Sequence, residues 1–383
     1  MLLKEIFCQD KAIAILQRAF ASRKWAHAYI FAGQEGVGRF KTALGWAKLL
    51  LCEKPAIENG FADSCSSCRS CQLFEAGSHP DFDHIYKELI EFTKEGKERK
   101  TPVDLPIDVI REFLIEKVST KPTLSQRKVF VVSEAEKLNA SSQNALLKVL
   151  EEPPAYCCII LLCTRLERLL PTTKSRCQII RFGLVDEDKI IEKLKQMGLE
   201  QTKAQYFARL SAGSLGTACR WAELELASTR AEAEAGLADP GLYQIKKKIV
   251  SYLASYELAD AVKLAQEIMD DSKKIAITWN ALDRTTSKTD ISRRAQKTLV
   301  QIIISALNDA IKLNAAPEQA NVNFDQKEQI RRLAGRFDAE NASEKIADCY
   351  KTLRWIEAGV NEKLIFEQLL LNLTGSDIIY SLQ

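Results

Sequence analysis

No apolar run in this 383-residue chain reaches the roughly 18 to 20 residues needed to cross a bilayer. The opening residues, Met1-Leu2-Leu3-Lys4-Glu5, lack both the apolar stretch and the small-residue cleavage site of a secretion signal. The expectation is a cytoplasmic protein with no membrane partner. An excess of one charge is also missing: 54 Lys and Arg face 51 Asp and Glu, a formal net charge of +3. A chain that grips nucleic acid by itself through a broad electrostatic footprint is usually more basic, so any DNA contact is expected to be local or shared. Internal repeats are absent. What is present is 46% hydrophobic and 27% charged residues, enough to bury substantial cores in two or three domains.

Residues 4–182 alternate helical patterns with short β-rich runs, the rhythm of a doubly wound α/β domain. The expected strands are 28–31, 82–86, 129–132, 158–163 and 178–182. All but the second lack polar alternation, and near-continuous runs such as Val129-Phe130-Val131-Val132 suit parallel strands covered by helices on both faces. Beyond 182 the strand signals stop. Breaks near 213–216 and 239–241 divide the remainder into a small helical domain, 183–238, and a helical bundle, 239–383. The bundle contains amphipathic stretches such as 245–254 and 364–373. The charged, Gly- and Pro-containing stretch 91–106 is expected to be a mobile loop.

Gly33-Gln34-Glu35-Gly36-Val37-Gly38-Arg39-Phe40 follows an expected strand and opens a helix, the context of a GxxxxGK[ST] phosphate loop. Gly33, Gly36 and Gly38 suit backbone amides turned toward phosphates. Arg39, however, stands where the phosphate-reaching lysine belongs, and Phe40 where a hydroxyl ligates magnesium. The acidic strand end is altered as well: Val132 is followed by Ser133-Glu134, with serine in the place of the metal-holding aspartate. Two losses at one site argue against ATP hydrolysis. A glycine-rich turn without ligand and a vestigial nucleotide site both remain open.

Cys65, Cys68 and Cys71 form CxxCxxC, and Cys52 lies upstream at the end of an expected helix. Eleven cysteines in a reducing compartment call for a metal rather than disulfides. Four thiolates suit tetrahedral Zn²⁺ in a structural role over about 52–71; an iron–sulfur cluster is the alternative. Cys157, Cys158, Cys163, Cys177 and Cys219 fit simple burial. His79-Pro80-Asp81 is expected to form local turn structure. Lys246-Lys247-Lys248 reads as a solvated helix face.

Taken in order, Ala26-His27-Ala28-Tyr29-Ile30-Phe31, the glycine loop, the cysteine module, Ile107-Asp108-Val109-Ile110-Arg111, the run from Asn144 to Pro154 and Ser175-Arg176-Cys177 resemble the clamp-loader branch of the AAA+ family. The resemblance implies a P-loop α/β domain with a parallel sheet over 1–182, a helical lid over 183–238 and an all-α collar for oligomerisation over 239–383. It also makes Arg176 an arginine finger, pointing at ATP held by a neighbouring subunit, where a forked cation stabilises transferring phosphate. An arginine that senses phosphate in the lid is missing, since Gly213-Ser214-Leu215 is followed by Gly216; Thr164 falls near the other sensor position. The implied function is that of a non-hydrolysing subunit, with tau/gamma and delta subunits in a hetero-pentamer, a sliding clamp and primer-template DNA as partners. The rival readings are an active tau/gamma-type ATPase and a zinc-containing adaptor in which Arg176 has no role.

Overall fold

The computed structural model describes residues 2–94, 104–235, 241–255, 257–283, 286–315 and 321–374. Two compact units divide the chain, Met1–Val185 and Asp186–Gln383. The expected boundary at 238 and most of the loop expected at 91–106 lie outside the described residues. Among those described, no helix is long and apolar enough to cross a membrane.

The first unit is built on five parallel strands, β1 (Ala28–Ala32), β4 (Phe82–Ile85), β5 (Lys128–Val132), β6 (Cys157–Cys163) and β7 (Gln178–Arg181). Their spatial order is β4-β5-β6-β1-β7, with every pairing parallel. A small antiparallel hairpin, β2 (Ala56–Glu58) and β3 (Phe61–Asp63), stands apart from this sheet. Alternation along each strand sends neighbouring side chains to opposite faces, and two cores result. Ile30, Phe130, Val132, Ile159 and Leu161 pack on one face with Val109, Ile110, Leu114, Leu146 and Leu150. Tyr29, Phe31, Val129, Val131 and Ile160 pack on the other with Leu16, Trp46 and Leu50.

The helices supplying these cores are α1 (Asp10–Ala21), α2 (Arg39–Leu51), α4 (Ile107–Ile110), α5 (Glu116–Val118) and α6 (Ala140–Glu151), with a π-helical turn, Arg111–Ile115, joining α4 to α5. Two short helices, α3 (Arg69–Glu75) and α7 (Pro171–Ser175), complete the unit. Coverage on both faces is why the strands read as continuous apolar runs. This is a parallel, helix-covered α/β architecture of the class the sequence leads one to expect, and it carries the glycine loop at the C-terminal end of β1, where open α/β sheets bind ligands.

The second unit is helical throughout its described residues: α8 (Glu187–Gln196), α9 (Gln201–Leu210), α10 (Leu215–Ala235), α11 (Leu242–Ser255), α12 (Ala261–Leu282), α13 (Lys288–Ala315), α14 (Lys327–Arg336), α15 (Ala339–Ala358) and α16 (Glu362–Leu373). Lys246 is fully buried, contrary to the solvated face expected of residues 246–248. Its ammonium is paired with Asp325 and lies 4.6 Å from the centre of the Tyr206 ring and 5.3 Å from that of Tyr243. Tyr243 adds a hydroxyl donated to Asp325 at 2.8 Å. A charge removed from water needs such partners.

Candidate functional site

The chain leaves β1 through a glycine loop that two close constraints define. A Cβ on Gly33 would lie 2.8 Å from the carbonyl oxygen of Phe182, so only glycine lets the loop pack against the end of β7. Gly36 and Gly38 have φ of 79° and 105°, a region that side chains disfavour, and Gly38 is the residue from which α2 starts. Arg39 opens that helix with Nε buried and without a hydrogen-bond partner. Burial lowers the pKa of its guanidinium, while Glu136, Cys163 and Glu35 act in the opposite direction.

Where the phosphate-loop motif calls for a magnesium ligand, Phe40 contributes a ring instead. Its centroid lies 4.8 Å from that of His84, and His84 in turn lies 5.0 Å from Tyr86. Ser133, at the C-terminal end of β5, meets His84 Nε2 through its hydroxyl at 2.8 Å. Burial holds the His84 imidazole down to about 4, so it is neutral at pH 7. The position that would offer a carboxylate and a hydroxyl to Mg²⁺ thus presents a hydroxyl, a neutral imidazole and two aromatic rings. One hydroxyl, already engaged by His84, leaves the carboxylate that a hard cation prefers without a replacement.

Glu134 adopts a left-handed backbone, φ 52°, and its carboxylate is ion-paired with Lys137 at 2.5 Å and lies 4.0 Å from the buried ammonium of Lys87. Thr164 donates its backbone N–H to Glu136 at 3.2 Å and its hydroxyl to the same carboxylate. Gly33, Gly36, Gly38, Arg39, Ser133, Glu134 and Thr164 therefore sit at the C-terminal ends of β1, β5 and β6. His84 and Glu136 were not singled out from the sequence, because their partners lie 49 and 28 residues away.

Arg176 caps the end of α7, with its side chain one-third exposed and paired with Glu151 at 2.7 Å. Its Nη1 donates to the Thr172 carbonyl at 3.0 Å. An exposed ion pair of this kind contributes about 1 kcal/mol or less, so exchanging Glu151 for an external anion is energetically inexpensive.

The four cysteines of the module converge. Their sulfurs all lie within 4.8 Å of one another, with Cys52–Cys65 at 3.6 Å and Cys52–Cys68 and Cys65–Cys71 at 4.0 Å. A tetrahedron of thiolates about 2.3 Å from a zinc ion has edges of about 3.8 Å, so the set fits such an ion. Backbone amides support the sulfurs: Cys65 N–H donates to Cys52 Sγ at 3.3 Å, Cys68 N–H to Cys65 Sγ at 3.3 Å and Cys71 N–H to Cys68 Sγ at 3.4 Å. Burial works against ionising the Cys65 thiol, but hydrogen bonds from Ser67 and Cys68 bring it down to about 6. Lys48, itself buried, closes the module by donating to Ser66 Oγ at 3.0 Å and pairing with Glu75 at 2.5 Å.

Sequence comparison reaches the same region. The family described as "DNA polymerase III, delta subunit" matches residues 8–186, and that described as "DNA polymerase III, delta subunit, C terminal" matches residues 286–375. A DNA polymerase III subunit delta' from Pseudomonas aeruginosa is 40% identical over 152 residues, covering 40% of this chain and 42% of the relative. Its namesake from Bacillus subtilis is 30% identical over 227 residues, covering 59% and 62%. The chain carries regions of the DNA polymerase III delta-subunit families at residues 8–186 and 286–375, and it is similar to relatives named subunit delta'. A DNA polymerase III subunit tau from Bacillus subtilis is 28% identical over 218 residues, covering 55% of this chain and 35% of the relative. The match to each of these relatives spans less than two thirds of the relative's own length. A solved DNA polymerase III gamma subunit-related protein from Thermotoga maritima is similar over 94% of this chain and 98% of its own at 17% identity, with a TM-score of 0.45.

Proposed function

We propose that this chain is a non-hydrolysing subunit of a DNA polymerase III clamp loader, supplying Arg176 in trans to ATP held by a neighbouring tau/gamma-type subunit while a sliding clamp is placed on primed DNA. The observation that carries this reading is the neutral cluster of Phe40, His84, Tyr86 and Ser133 standing where a magnesium shell would be. With Glu134 drawn onto Lys137 and Lys87, the chain's own loop lacks the parts that polarise phosphate and water. Arg176, in contrast, keeps a charge that is partly exposed and weakly held. In this reading residues 183–238 act as the lid and 239–383 as the collar that joins the pentamer with tau/gamma and delta subunits. The four cysteines would hold zinc as a structural ion, with no ligand position open for chemistry.

ATP hydrolysis by complexes of motor subunits with either this chain or its Arg176→Ala variant tests the proposal, beside the chain alone. The expected result is an inert isolated chain and a variant complex that loses DNA-stimulated turnover at the site Arg176 serves, where arginine fingers contribute about 10³-fold or more. Turnover by the isolated chain would identify an active motor subunit instead. Unchanged turnover by the variant complex would favour an adaptor.

A further inference from the structure

We propose that His79 and Asp81 form a clasp joining the four-cysteine centre to residues 123–125, so that metal loading governs the order of the segment leading into β5. The inference rests on the cysteines holding a metal and concerns residues that no part of that reading uses.

Its hub is the carbonyl oxygen of Leu51, the last residue of α2 and the one before Cys52. Two hydroxyls donate to it, Ser70 Oγ at 2.7 Å and Ser125 Oγ at 3.1 Å. The same two hydroxyl oxygens face His79 Nε2, at 2.9 Å and 3.3 Å. Because His79 Nδ1 accepts the backbone N–H of Asp81 at 3.1 Å, the ring proton resides on Nε2, which is the donor to the serines. Each hydroxyl thus accepts from the imidazole and donates to Leu51, leaving no conflict in the direction of any bond. Ser70 immediately precedes Cys71, and its own N–H donates to Glu53 at 3.1 Å. The network therefore holds the chain beside two ligands from different ends of the module, Cys52 and Cys71.

Asp81 carries the connection onward. Its carboxylate accepts three consecutive amides, those of Thr123 at 2.6 Å, Leu124 at 2.8 Å and Ser125 at 2.7 Å, and its carbonyl accepts Val129 N–H at 2.9 Å. Ser70, His79 and Asp81 are 1%, 5% and 0% exposed, so on their side of the network a lost partner is costly to replace with water, although Thr123 at the other side is exposed. Groups outside a metal shell that fix the orientation of its ligands act in this way. A His-Pro-Asp turn serving only its own backbone would not place the imidazole between two hydroxyls 55 residues apart in sequence, Ser70 and Ser125.

The test uses the full chain, first assayed for bound zinc and then compared zinc-loaded and chelator-stripped under reducing conditions, with amide hydrogen exchange read over residues 120–128. The expected result is that stripping accelerates exchange at 123–125 by about 10-fold or more. His79→Ala is expected to release zinc to a chelating dye about 10-fold faster, and His79→Gln, which keeps an N–H for the serines, to recover part of that loss. A zinc-loaded chain whose 123–125 amides exchange equally with and without metal overturns the clasp but leaves the metal centre standing, and so does equal zinc release by His79→Ala and the parent. Should His79→Ala not fold, exchange in the parent chain decides alone. A chain that neither carries nor takes up zinc removes the metal reading and the clasp with it.

Discussion

His84 offers a quantitative test of the neutral cluster. Its imidazole is held down to about 4 by burial, against an ordinary 6.5. The folded state therefore disfavours the charged ring, and the stability at stake is fully present above pH 6.5 and lost as pH falls toward 4. Working from those two values, the loss is about 2 kcal/mol between pH 8 and pH 5 and about 3 kcal/mol once the folded ring is protonated as well. The ring is not fully enclosed, so solvent screening makes these figures ceilings. The chain has only three histidines, so labelled imidazole carbons give a resolvable NMR titration, and His84→Phe identifies the resonance. Urea unfolding of the sheet unit at pH 8 and pH 5 then compares the parent with His84→Phe, which keeps an aromatic ring but cannot titrate. The parent should lose about 1 to 2 kcal/mol more than the variant on acidification. A His84 resonance that titrates near 6.5, or equal losses in the two proteins, would refute the reasoning.

Gly33→Ala should destabilise the first unit by about 1 to 3 kcal/mol, because the new Cβ would lie 2.8 Å from the Phe182 carbonyl oxygen; thermal unfolding reads it. Lys246→Ala leaves Asp325 without its ammonium partner and should cost about 3 to 5 kcal/mol, measured by denaturant unfolding, whereas Lys246→Met with Asp325→Leu should recover much of that loss. Cys68→Ala removes one sulfur of the quartet and the acceptor of Cys71 N–H. Elemental analysis should find bound metal falling from one ion per chain toward none.

Much of the fold is legible because burial on both faces leaves its mark within each strand. Ile159 and Ile160 face different cores, yet both must be apolar, so the run is continuous and short. The hairpin at Ala56–Glu58 and Phe61–Asp63 was not anticipated: its first strand is exposed throughout, so burial wrote no pattern there. The usable signal was Asn59-Gly60, whose φ values of 53° and 78° are those of a two-residue hairpin turn. Lys246 was equally recoverable, since it shares a helical stripe with Leu242, Ile245, Ile249 and Leu253, all buried. The cysteine quartet could be read from local spacing. Ser133 with His84 could not, because nothing in either segment names the neighbour that the parallel pairing of β4 with β5 supplies.

Helix α2 begins at the glycine loop and ends at the first cysteine of the quartet. Its 13 residues make a rod about 20 Å long, packed along its length by Ala43, Trp46, Ala47 and Leu50. Such a rod works as a lever arm. A tilt of about 5° pivoting at Cys52 would carry Gly38 through about 1.7 Å, roughly the difference between a hydrogen bond and none. The cysteine quartet thus stands at the far bearing of the glycine loop, so that a shift at either end of the helix is felt at the other.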